Sequence, residues 1–96
     1  MSAMTDEGDV ELPGEELVTK GLEDLARGVE SVEALLVSIG APRLTRAGYE
    51  VESPLPSAEL RLYELLSERD PDGAHSAYNA LLRRLVSFER AAECVS

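Results

Sequence analysis

One cysteine, one histidine and no long apolar run set the first limits on this 96-residue chain. Cys94 has no second thiol to pair with inside the chain, so no internal disulfide forms and nothing marks an oxidising compartment. It also lacks a histidine or base close by in sequence to activate it as a nucleophile. The single histidine, His75, excludes any histidine pair or multi-histidine metal site built within one copy. No apolar stretch reaches the roughly 18 residues of a membrane span, and the acidic N-terminus lacks the basic-then-apolar pattern of a secretory signal. The expected location is therefore cytoplasmic. Neither a P-loop nor a GxGxxG fingerprint occurs, which removes the usual nucleotide-binding motifs.

Basic charge is also scarce, with nine Lys and Arg against 19 Asp and Glu for a formal net charge of −10. That balance opposes the counterion release that drives binding to nucleic-acid phosphates. The charge is uneven: Asp6, Glu7, Asp9, Glu11, Glu15 and Glu16 precede the first base, Lys20. Residues 1–12 show no periodicity and read as a flexible acidic leader, followed by a single helical domain over 13–96. The 44% apolar content is enough for that domain to bury a core.

The dominant pattern is helical. From Glu15 to Ile39, Val18, Leu22, Leu25, Val29, Val32, Leu36 and Ile39 alternate at spacings of four and three, an unbroken heptad seam that predicts one long helix ending at Gly40 and Pro42. Gly21 and Gly28 lie inside it, each less favourable than Ala by about 1 kcal/mol, and Gly28 is placed to allow close helix approach. Residues 40–56 hold two Gly and three Pro and read as a long connection packing back through Leu44, Tyr49, Val51 and Leu55. Ser57 is the expected N-cap of a shorter helix running to Arg69. A third helix is expected from an Asp72 cap to Ala92, with a seam at Ala74, Tyr78, Leu81, Leu85, Phe88 and Ala92 that Leu82 and Val86 widen. The fold class is thus all-α, a three-helix bundle-like domain with two long heptad-patterned helices and one shorter helix.

The shorter helix is apolar over more than half its circumference, wider than the one stripe a surface helix needs, and so calls for cover from two sides. Dimerisation would supply the second cover and add the burial that so small a core needs. Leu62, Tyr63, Leu65 and Leu66 are the expected interface residues.

Candidate chemistry is sparse. Glu68, Asp70 and Asp72 bring acidic oxygens close together, but no further acids follow at EF-hand offsets, and turn and cap chemistry accounts for both Asp residues. Glu30 with Glu33, and Glu64 with Glu68, are helix neighbours, yet a di-metal carboxylate site also needs a Glu-x-x-His from each of two helices. No cofactor, metal or small-molecule ligand is expected. Arg83, Arg84 and Arg90 make the third helix locally basic while residues 15–39 are acidic, so the two either pair within the bundle or present an Arg patch to an acidic partner. Arg43 and Arg46 join that patch only if the connection folds toward the third helix.

Arg69, Asp70, Pro71, Asp72, Gly73, Ala74 and His75 form an arginine, five residues and a histidine, an arrangement that resembles the RxxxxH-type signature of HEPN ribonucleases. The resemblance covers seven residues. It implies an all-helical, often dimeric ribonuclease in which Arg69 stabilises phosphate charge and His75 transfers a proton. Set beside it, the main expectation is a small acidic, non-enzymatic interaction or regulatory protein whose partner is a second copy or another protein. An acidic inhibitor or antitoxin-like protein masking a basic, nucleic-acid-binding surface is the alternative.

Overall fold

The computed structural model describes residues 12–95, and the acidic leader expected over 1–12 lies outside them except for Leu12. The described residues are all-helical: α1 (Glu15–Ala26), α2 (Val32–Ile39), α3 (Ala41–Arg46), α4 (Ala58–Arg69) and α5 (Ala74–Val95). No helix among them is long and apolar enough to cross a membrane.

The helix expected over residues 15–39 is two helices. Gly28 adopts φ +73, a left-handed conformation that only glycine enters without strain. It lets its own N–H bond Leu25 O at 3.0 Å and the Val29 N–H bond Asp24 O at 2.8 Å, the paired bonds of a Schellman stop. Ser31 then restarts the chain as the N-cap of α2, its Oγ accepting from the Ala34 N–H at 3.0 Å. The same Oγ donates to the Asp24 carboxylate at 2.6 Å, so the stop of α1 and the start of α2 share one hydrogen-bonded joint. The heptad spacing carries across this joint without a helix to carry it, and Val29, one of its seam positions, is 45% exposed.

Folded back, α1 lies directly on α2. Gly21, rather than Gly28, is the point of close approach, because a Cβ there would collide with Glu33 O and Val37 Cγ2. Gly28 has open space around it. α2 is the centre of the molecule: Val32, Ala34, Leu35, Leu36, Val37 and Ser38 are all buried, as expected of a helix apolar on every side. It packs against α1, α4 and α5.

The connection contains a helix that the proline count obscures. Pro42 falls in the first turn of α3, where the missing N–H is not needed, so Gly40 and Pro42 bend the chain into a new helix. The rest of the connection is tied to α2 by the Leu55 N–H, which donates to Ser38 Oγ at 2.9 Å, while Leu44 is buried and Tyr49 rests against Phe88 at 5.4 Å between ring centroids. α4 matches its expected limits, although Ser57 caps it in a left-handed conformation without a side-chain bond. α5 keeps its seam, with Ala74, Leu85, Phe88 and Ala92 buried and Tyr78 and Leu81 partly so. It begins after Gly73, whose carbonyl accepts from the Ala77 N–H, rather than on an Asp72 cap.

Candidate functional site

Of the four residues expected to form an interface, two are inside the chain's own core. Leu62 and Leu66 are buried against α2, whereas Leu65 is half-buried and Tyr63 is 37% exposed. The wide apolar circumference of α4 has one side closed by the chain itself, and what it leaves open is Leu60, 64% exposed, with Tyr63 beside it. Tyr63 stacks edge-on against Tyr78 at 5.5 Å and faces His75 at 6.5 Å. Burial first, then the Glu59 carboxylate, pushes the Tyr78 hydroxyl pKa up.

A concavity with an apolar floor lies further along α5. Arg43 ties α3 to that helix, as the Arg patch required, and an open groove of about 350 Å³ runs between the two. Leu82, Leu85 and Val86 of α5 and Ile39 and Pro42 at the α2–α3 bend make its apolar floor, while Arg43, Arg46 and Glu89 supply its charge. Gly40 permits the approach, since a Cβ there would stand 2.6 Å from Glu89 Oε2 and 3.1 Å from a Leu85 methyl.

Arg43 holds the two walls together. Its Nε and Nη2 donate to the two Glu93 oxygens at 2.7 and 3.0 Å, a bidentate geometry, and its Nη1 reaches Glu89 Oε1 at 3.4 Å. The two carboxylates respond in opposite directions. The hydrogen bond from Arg43 holds Glu93 below its ordinary pKa, whereas burial pushes Glu89 up, against the pull of Arg43. Arg46, at the rim, forms no ion pair within 4 Å among the described residues, and neither do Arg83 and Arg90, which stand three before and four after Val86 on α5. Arg84, on the opposite side of α5, is engaged by Glu16 of α1 at 2.8 Å. Pairing within the bundle therefore takes Arg84, while the other arginines of the third helix face solvent.

A second concavity, about 450 Å³, runs along the polar face of α1 between Glu15 and Arg27 and is lined by polar and charged residues, with no aliphatic side chain among them. Glu30 of the α1–α2 joint pairs instead with Arg61 of α4 at 2.9 Å. No group of three His, Cys, Asp or Glu side chains able to hold a metal ion occurs among the described residues. Arg69 and His75 are not joined by a hydrogen bond or ring contact; the exposed His75 ring lies 3.2 Å from Asn79 Nδ2 and against Tyr63. Cys94 is exposed.

The groove escapes a reading by seams because its floor joins two seam residues, Leu85 and Ile39, to residues that lie off any seam. Leu82 and Val86 stand off the α5 heptad, and Ile39, the last position of the first seam, meets Pro42 where one helix ends and another starts. The available signal was the pair Arg43 and Arg46, one turn of α3 apart, beside that off-seam couple. Comparison with protein-family models, with curated proteins and with solved structures finds no match.

Proposed function

We propose that this chain is a non-enzymatic protein–protein interaction module whose contact surface is the groove between α3 and α5. The observation that carries the reading is Val86, which remains 36% exposed in the groove beside Leu82 and Ile39 although the core of the same helix is closed. An apolar floor flanked by charge is the anatomy of a recognition surface. A homodimer through α4 has less support, because Leu62 and Leu66 are used within the monomer and only Leu60, Tyr63 and part of Leu65 remain for a second copy.

The test is affinity purification of the tagged full chain and its Val86→Glu variant from cells that make it. Val86 is outside the closed core, so the variant is expected to keep its helicity, which circular dichroism checks. Proteins recovered with the wild-type chain and lost with the variant support the reading. An identical set recovered with both contradicts it.

A further inference from the structure

Resting on that reading, we infer that the groove takes an amphipathic helix of another protein, with an apolar stripe for the floor and carboxylates along its flanks. The charge distribution is the first argument. In a chain of net charge −10, this groove is lined by Arg43 and Arg46, and the exposed Arg83 and Arg90 stand nearby on α5, three before and four after Val86. Glu89 lines the groove and Glu93 lies beyond its lining; both pair with Arg43, and Glu93 also feels the charges of Arg46 and Arg90. Arg46, Arg83 and Arg90 have no carboxylate within 4 Å among the described residues, so guanidinium charge without a close ion pair stands at and beside an aliphatic floor. Guanidinium groups bind carboxylates bidentately, and a partner with acidic flanks supplies them.

The floor selects a protein helix over a nucleic acid. Ile39, Pro42, Leu82 and Val86 offer aliphatic surface and no aromatic ring on which a base could stack, and the acidic remainder of the molecule repels a phosphate backbone. The described residues contain no strand, so no sheet edge is on offer to an extended peptide. Leu82 and Val86 stand one turn apart, the spacing of a helix ridge that packs against the side chains of another helix.

A second copy is a poor occupant. Its most acidic helix, α1, has Val18 and Leu25 already buried in its own core, and α4, which leaves Leu60 and Tyr63 open, sets Arg61 and Arg69 among its acids. Bringing two chains of charge −10 together is also opposed by their mutual repulsion.

The experiment is fluorescence anisotropy on the full chain with three labelled probes. The first is a synthetic peptide of about 18 residues, five helical turns, with Leu along one face and Glu on both flanks. The second replaces each flanking Glu by Lys, and the third is a single-stranded oligonucleotide. The Glu-flanked peptide is expected to bind saturably and at least about tenfold more tightly than the Lys-flanked one at low salt, with the difference shrinking as salt is added. Arg46→Glu and Arg83→Glu, both surface changes, are expected to weaken the first peptide and strengthen the second, with helicity unchanged. Equal binding of the two peptides, binding of neither, or capture of the oligonucleotide in their place overturns the inference. If neither peptide binds while Val86→Glu still strips co-purifying proteins, the acidic-helix assignment fails and the interaction reading stands. If Val86→Glu strips nothing either, both fail.

Discussion

Arg43 and Glu93 meet across 50 positions of sequence in a bidentate pair at 2.7 and 3.0 Å, and the pair closes α3 onto the last turns of α5. The same guanidinium lies 3.4 Å from Glu89, a carboxylate with almost no solvent contact. The groove thus has one well-solvated ion pair at its mouth and one poorly solvated acid in its wall.

Burial holds the Glu89 carboxyl above its ordinary value, so the folded state binds a proton there more tightly than the unfolded chain does. By linkage, this residue's contribution to stability falls as pH rises from the ordinary carboxylate range through the folded-state value. Glu89→Gln keeps the shape and cannot ionise. It is expected to be at least as stable as the wild-type chain near pH 7 and to lose less stability on going from about pH 4 to 7 in urea titrations. A variant less stable at pH 7, with an unchanged slope, would show that pairing with Arg43 outweighs burial.

Asp24 carries the opposite sign. The hydrogen bond from Lys20 first, then that from Ser31, holds its carboxyl below the ordinary range, so its contribution is present above that range and is lost as pH falls through the folded-state value. Asp24→Asn is expected to be less stable than the wild-type chain at neutral pH, with the gap closing on acidification. Ser31→Ala removes the cap of α2 as well and should cost about 1 kcal/mol, read from the shift in urea midpoint at constant slope. A gap that stays constant with pH in Asp24→Asn would contradict the joint described for α1 and α2.

Gly21→Ala separates the close packing of α1 and α2 from plain helix propensity. In a helix open to solvent the change gains about 1 kcal/mol. Here the added methyl meets Glu33 O and Val37 Cγ2, and forcing the helices apart should cost about 1–3 kcal/mol. Thermal melting of the variant gives the sign, and a raised melting temperature would mean that α1 does not lie this close to α2.

Leu62 and Leu60, two positions apart on α4, should behave as unlike residues. Leu62→Ala opens a cavity in the core and is expected to cost about 2–5 kcal/mol, while Leu60→Gln at the surface should stay within about 0.5 kcal/mol of wild type. Similar effects at both positions would contradict the burial of α4 by α2.

Helices α4 and α5 are legible in the sequence because their seams and stops agree: the seam of α5 and the breaker run from Asp70 to Gly73 point to the same limits. The first helix is not, because the apolar spacing from Val18 to Ile39 is indifferent to whether one helix or two carry it. Gly28 followed by Ser31 held the stop and the restart, and a seam read alone outweighs them wrongly. The apolar breadth of α4 is visible in the sequence, but which part of it the chain covers depends on α2 reaching the centre, a consequence of that same break. The groove needs both the folding of α3 onto α5 and the pairing of Arg43 with Glu93, neither of which a local pattern contains.

The most direct test of the groove as a contact surface is photo-cross-linking in cells that make the protein, with a benzophenone amino acid placed at Val86 in one variant and at Thr19, on the polar face of α1, in another. The account predicts a discrete adduct with another protein from the Val86 position and none from Thr19. Adducts of equal yield from both positions, or none from Val86 while Thr19 reacts, would contradict it.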